Sequence, residues 1–322
     1  MRIIFMGTPD FAVQSLDLLI KNNKNVVAVI TSPDKPAGRG QQIQQSAVKK
    51  YALENGLNIL QPDKFKDENF LTQLRELHAD LQIVVAFRML PEVVWNMPPK
   101  GTINLHGSLL PNYRGAAPIN WAIINGEKET GVTTFFLQQE IDTGKIIYQE
   151  KIAIEPNDDA ELVHDKLMHK GAQLILKTVE SIETNIYPQI NQSCLMPENQ
   201  QIKFAPKIFR KDCQINWQHS PSQIHNFVRG LSPYPTAYTI LISPKNEEFP
   251  LKVFKTELES KHHELPIGRI KTDSKTYLKI SVLGGYLYIK DLQLSGKKRM
   301  ATSEFLRGFS VNNEWKTKNV ND

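Results

Sequence analysis

The chain predicts an α/β fold, a Rossmann-like and mostly parallel sheet, followed by a second domain built as an OB-like β-barrel. Three observations carry this expectation. Apolar runs at 3–6, 26–31 and 81–87 are short and unbroken, as strands covered on both faces are. Helix punctuation and helical spacing separate those runs. Beyond residue 206 the pattern changes to short β-like runs divided by turn residues. A length of 322 residues suits two domains. We divide the chain into 1–189, a linker at 190–206, and 207–322.

The first strand spans Arg2 to Met6, and Thr8 then Pro9 supply an N-cap and first-turn proline for a helix to about Ile20. No G-x-G-x-x-G follows the strand, which argues against a nicotinamide or flavin dinucleotide. Val26 to Thr31 is the next strand. Residues 32–50 are too polar and too rich in Pro and Gly for an element, and Lys35, Arg39, Lys49 and Lys50 make this long loop basic. Ser46 caps a helix ending near Gly56, and Asn58 to Leu60 forms a short strand. Phe70, Leu71, Leu74 and Leu77 have helical spacing. Leu81 to Phe87 reads as a central strand, Pro91 to Met97 as a short helix, and Thr102 to Leu105 as a fifth strand. Pro118 starts a helix that stops at Asn125 and Gly126. Val132 to Leu137 and Lys145 to Ile154 are strands on either side of the Asp142 loop. The longest helical pattern, 158–185, places Leu162, Val163, Leu167, Ala172, Ile175, Val179 and Ile182 on one side. In the second domain, Ser220 and Pro221 open a helix ending at Gly230. Strands follow at Leu251 to Phe254, Tyr277 to Val282 and Tyr286 to Ile289, and the polar tail after Phe309 is expected to fray.

Composition removes several classes. Cys194 and Cys213 have neither C-x-x-C spacing nor a histidine cluster, so neither a disulfide framework nor a zinc site is expected. His164 and His169, five apart, fit metal ligation poorly. No segment approaches the roughly 18 apolar residues of a membrane span, and no signal peptide is evident; a cytoplasmic enzyme is expected. Residues 1–206 carry 20 Lys and Arg against 23 Asp and Glu, whereas 207–322 carry 19 against 11. A basic second domain suits a polyanionic partner or a merely well-solvated surface, and charge alone leaves both open.

The chemistry gathers at 101–147, where Asn104, His106 and Asp142 sit at strand ends, the place where open α/β sheets bind ligands. Read singly, His106 suits a structural hydrogen bond and Asp142 a turn. Together with Asn104 they suit acyl or one-carbon transfer to an amine. Amide and imidazole N–H groups would stabilise the carbonyl oxyanion while a carboxylate orients the imidazole and assists proton removal. Ser108 lacks a G-x-S-x-G elbow. Arg114 is either a loop charge or an anion contact.

A set of blocks goes further than this chemistry. MGTPDFA at 6–12, SPDKPAGRG at 32–40, NLHGSLLPNYRGAAPINWAI at 104–123, ETGVTTFF at 129–136 and DTGKII at 142–147 stand in order. INW at 215–217, RGLSPYPTAYT at 229–239 and SGKKRMATSEFLRG at 295–308 follow in the second domain. On these blocks the chain resembles the 10-formyltetrahydrofolate-dependent formyltransferases, in their methionyl-tRNA branch. The resemblance implies the formyltransferase fold, 10-formyltetrahydrofolate as co-substrate, initiator methionyl-tRNA as partner, no metal, and a monomer. It assigns catalysis to Asn104, His106 and Asp142. It lines the folate pocket with Phe87, Met89, Leu90, Ser108, Leu109, Leu110, Pro111, Gln139 and Ile141. It gives tRNA contacts to Arg39, Lys297, Lys298 and Arg299. Two departures stand out. VVAFRMLP at 84–91 replaces a Tyr-Gly pair and is one residue shorter, and QQIQQSAVK at 41–49 leaves Arg39 as the main charge near the loop tip.

Overall fold

The computed structural model describes residues 1–37, 42–196 and 201–318. It divides into two compact units: Met1–Pro118, Glu129–Ile152 and His164–Phe204 in the first, and Ile119–Lys128, Ala153–Val163 and Ala205–Asp322 in the second.

The first stretch runs β1 (Arg2–Gly7), α1 (Asp10–Lys21), β2 (Asn25–Ile30), β3 (Lys35–Ala37), β4 (Gln42–Gln44), α2 (Ala47–Glu54), β5 (Ile59–Leu60), α3 (Glu68–Glu76), β6 (Leu81–Val85), α4 (Glu92–Trp95) and β7 (Thr102–His106). It continues with β8 (Arg114–Gly115), α5 (Pro118–Ile124), β9 (Glu129–Phe136), β10 (Ile146–Ala153) and α6 (Ala160–Glu183). The main sheet has the order β10-β9-β7-β6-β1-β2-β5. From β7 to β5 every pairing is parallel, and β9 joins β7 antiparallel. From β1 the chain steps first to β2 and later to β6 on the opposite side. In open α/β sheets such a reversal marks the place, at the carboxyl ends of the strands, where ligands bind.

Both faces of this sheet are covered, so β1 and β6 are buried almost throughout. On one face Ile4, Met6, Ala28, Ile30 and Val84 pack with Phe70, Leu71 and Leu74 of α3. The placement of β7 against α6 decides which side chains face the site. A Cβ on Gly171 of α6 would lie 2.7 Å from Leu105 Cδ2, so the missing side chain lets helix and strand approach. Because side chains alternate along a strand, Asn104 and His106 point to the face opposite Leu105.

Several expectations are corrected. The α1 N-cap is Pro9, which makes no side-chain cap, because the Thr8 hydroxyl is engaged with Ser32 Oγ at 3.0 Å. Ser46 does cap α2, accepting from the backbone N–H of Lys49, and the structure adds Asp67 as the cap of α3, accepting from Phe70 N–H. Leu162 is 51% exposed rather than buried with its neighbours on α6, and Thr178 takes a place in the buried stripe. The loop at 32–50 contains the short antiparallel pair β3–β4. Lys49 is also less available than its loop position implied, since its ammonium pairs with Asp34 at 2.6 Å.

After β11 (Phe204–Ala205), which straddles the division, the second unit continues with α7 (Pro221–Leu231), β12 (Ala237–Ile242), β13 (Glu248–Glu259), β14 (Ile270–Thr272), β15 (Leu278–Val282), β16 (Gly285–Leu294), β17 (Met300–Ala301), α8 (Thr302–Gly308) and β18 (Lys316–Thr317). Its sheet runs β14-β15-β16-β13-β12-β18, with β17 on β16. An antiparallel bridge from Arg269, just before β14, to Lys316 of β18 brings the two ends together as a barrel. Trp217 fills the core with its indole N–H donated to Thr239 Oγ1 at 3.0 Å. The tail is not frayed up to residue 318. Val311 and Trp315 are buried, and β18 pairs with Leu241 and Ile242, because closing the barrel needs that last strand. Among the described residues, no helix is long and apolar enough to cross a membrane, and no group of three or more His, Cys, Asp or Glu could hold a metal ion.

Candidate active site

His106 ends β7, and its ring is 6% exposed. Its Nε2 lies 2.8 Å from the carbonyl oxygen of Tyr113. A carbonyl can only accept, so Nε2 carries the proton and the neutral ring keeps its lone pair on Nδ1. Nδ1 faces Asp142 Oδ2 at 3.8 Å, beyond hydrogen-bond range but close enough for a proton arriving on Nδ1 to meet an anion. Tyr113 therefore sets the tautomer, while Asp142 supplies the charge. Asn104 lies two residues earlier on the same strand face, half-buried, and its amide makes no hydrogen bond to a described residue. Its donors are thus available to a ligand.

Asp142 is held from several directions. Its Oδ2 accepts the Gly115 backbone N–H at 2.9 Å. Its backbone is left-handed, with φ of 55°, and the same region is occupied by Ala86 and Tyr113 at 47° and 62°. Non-glycine residues pay strain there, and all three stand in loops around the site. Two residues on, a Cβ at Gly144 would fall 1.7 Å from the Phe136 carbonyl oxygen, so this turn requires glycine. Gln192 donates its amide N–H groups to the carbonyls of Asp142 and Gly144, both at 2.9 Å, and accepts from Arg114 Nε and Nη2 at 3.0 and 2.6 Å. Burial lowers the pKa of the Arg114 guanidinium, with the nearby Asp142 and Glu140 charges acting in the opposite direction.

The residues assigned to the folate pocket fall into distinct environments. Leu110 is buried with Phe135 and Ile146, and Leu137 packs against this cluster as well as against the one that holds Leu90 and Phe87. Met89 and Ile141 are 74% and 59% exposed, apolar side chains left uncovered at strand ends, and Gln139 is exposed too. Leu109 is half-buried, and a Cβ at Gly131 of β9 would touch its side chain. Pro111 is buried behind the cis Leu110–Pro111 bond. Ser108 is fully buried, and its hydroxyl donates to the Asn112 carbonyl at 2.7 Å. The departure at Arg88 has a defined place. The guanidinium lies 4.0 Å over the Phe65 ring and donates to the carbonyls of Pro62 and Asp63, while its buried Nε finds no hydrogen-bond partner among the described residues.

Of the residues assigned to tRNA, Arg39 lies outside the described residues. Lys297, Lys298 and Arg299 are exposed on the turn between β16 and β17. Arg299 is already committed to Asp291 at 2.6 Å and to the Phe254 ring at 4.3 Å. Sequence reasoning missed Tyr113, Gly115 and Gln192. The first two act through backbone groups, which no residue type announces. Gln192 lies 50 residues from its partner Asp142, in a stretch without periodicity.

Residues 1–179 match the family model described as Formyl transferase, and residues 207–310 match the one described as Formyl transferase, C-terminal domain. The chain is 54% identical over 316 residues to methionyl-tRNA formyltransferase of Bacteroides thetaiotaomicron, covering 98% of each. It is 56% identical over 310 residues, 96% of each, to the same enzyme of Parabacteroides distasonis. The chain belongs to the methionyl-tRNA formyltransferase family. Its fold is also that of an N-formyltransferase from Helicobacter canadensis, with a TM-score of 0.64 at 23% identity over 92% of this chain and 99% of the other. Asn104 and His106 come from one strand face, and Asp142 is brought alongside by its tethered loop.

Proposed function

We propose that this protein transfers the formyl group of 10-formyltetrahydrofolate to the α-amino group of methionine on initiator tRNA, in the cytoplasm and as a monomer. The observation that carries the chemistry is the juxtaposition of an uncommitted Asn104 amide, a His106 ring with its lone pair on Nδ1, and the Asp142 carboxylate. The amine nitrogen attacks the formyl carbon, and Asn104 donates to the oxygen as it becomes an oxyanion. His106 Nδ1 takes the proton released by the amine, beside the negative charge of Asp142, and returns it to folate N10 as the N10–formyl bond breaks. No covalent enzyme intermediate is needed. The apolar wall of Phe87, Met89, Leu90, Leu109, Leu110, Pro111 and Ile141, with the Ser108 and Gln139 positions, receives the folate. Catalysis belongs to 1–189 and tRNA binding to 207–322, joined by 190–206, with Arg39, Lys297, Lys298 and Arg299 contacting phosphates. The test offers 10-formyltetrahydrofolate together with charged initiator tRNA, charged elongator tRNA or an amino-sugar nucleotide. Formyl-methionyl initiator tRNA is the expected product. Preference for the sugar, or product with none of the three, would overturn the assignment.

A further inference from the structure

Gln192 belongs to neither of the two family matches, which end at 179 and resume at 207, and yet it is 4% exposed and reaches the loop of Asp142. The backbone leading to it is anchored on the neighbouring strand. Ile190 and Ile146 exchange two backbone hydrogen bonds of 2.9 Å as an isolated antiparallel bridge. Two residues further along, the Gln192 side chain continues that ladder where the backbone stops. Its amide takes the carbonyls of Gly144 and Asp142, which lie two and four residues before Ile146. Its oxygen meanwhile receives both Nε and Nη2 of Arg114. Both donors and both lone pairs are used, and the partners settle which end is oxygen, because carbonyls only accept and guanidinium only donates.

Two loops are clamped by this one group. Arg114 precedes Gly115, whose N–H holds Asp142 Oδ2, so the backbone and side chain of Asp142 are tied to the same short segment. Asp142 sits in a left-handed conformation that a free loop would leave readily. We propose that Gln192 is a positioning residue for formyl transfer, holding the Asp142 carboxylate 3.8 Å from His106 Nδ1 through the carbonyls of its loop and through Arg114. Only glutamine meets the requirement. Glutamate offers no donor to the carbonyls, asparagine is one methylene shorter, and methionine keeps the shape but not the hydrogen bonds. The proposal rests on the role given to Asp142 above.

The test is a double-mutant cycle in the full-length protein, reading single-turnover formylation and the KM values for folate and tRNA. Gln192→Met is expected to lower the formylation rate about 10- to 100-fold with both KM values within about twofold, as misplacement of a catalytic group by about 1 Å does. Adding Gln192→Met to Asp142→Asn is expected to cost almost nothing further, because the clamp works through the group already removed. Gln192→Glu, which keeps a partner for Arg114 and loses the carbonyl donors, provides the same reading should the methionine variant fail to fold. An unchanged rate in both variants, or losses that multiply with that of Asp142→Asn, would overturn the proposal while leaving the role of Asp142 intact. A wild-type rate for Asp142→Asn would remove that role first and this proposal with it.

Discussion

Replacing Asn104 with alanine tests the oxyanion assignment with little structural interference. The side chain is half-buried on β7, and its amide bonds to no described residue, so the change strands no protein partner. A substitution of that kind stays within about 1 kcal/mol of wild-type stability. What it removes is a donor on the same strand face as His106. Loss of one such donor costs about 10²- to 10³-fold in kcat, or about 2.7 to 4 kcal/mol of transition-state stabilisation. The binding surfaces stay in place, so the KM for either substrate should change little. The assay is single-turnover formylation at saturating folate, with melting temperature measured in parallel. Asn104→Asp sharpens it, since an isosteric carboxylate would repel the oxyanion and should lose at least as much activity. A single-turnover rate within threefold of wild type for Asn104→Ala, with the protein folded, would refute the reasoning.

Other perturbations address the turn, the barrel and the basic surface. Gly144→Ala should destabilise the first unit by about 1 to 3 kcal/mol and depress kcat, because the added Cβ meets the Phe136 carbonyl oxygen at 1.7 Å; an unaltered denaturation midpoint would contradict the geometry. His225 has its pKa lowered by burial and by the Arg229 charge, against a hydrogen bond donated to the Pro156 carbonyl that raises it. Its folded value therefore lies below its unfolded value of about 6.5, and the unfolded chain binds the proton more readily. The stability it contributes is present above pH 6.5 and is lost as pH falls from there through the folded value. His225→Gln should flatten the decline in melting temperature over that window, and parallel curves for the two proteins would count against it. For tRNA binding, Lys297→Ala and Lys298→Ala should each reduce the slope of log affinity against log salt by about one. Arg299→Ala should reduce it less, since Asp291 already neutralises that charge, and equal effects from all three would show the ion pair to be irrelevant.

The periodicities of the chain determined most of the architecture. Continuous apolar runs marked β1, β2 and β6, because strands covered on both faces need no polar side. Ser46 marked a helix start because it supplies an acceptor to a free backbone N–H. The local motif also brought Asn104 and His106 together, since residues two apart on a strand share a face whatever the rest of the fold does. Where local rules met a competing partner they failed, as Thr8 did in bonding to Ser32 instead of capping α1. The polar end of the chain after Phe309 was expected to fray, yet Val311 and Trp315 are buried and β18 closes the barrel.

Tertiary structure alone decided how the site is assembled. The ring orientation of His106 depends on the Tyr113 carbonyl, a backbone group that every residue type possesses. The approach of Asp142 depends on the Gly115 N–H and on Gln192, whose significance exists only after the Ile190–Ile146 bridge forms. Side-chain types and their short-range spacing are written in the chain and determined which chemistry this protein could carry. Contacts across tens of residues, made largely by backbone atoms, determined the geometry in which those groups meet.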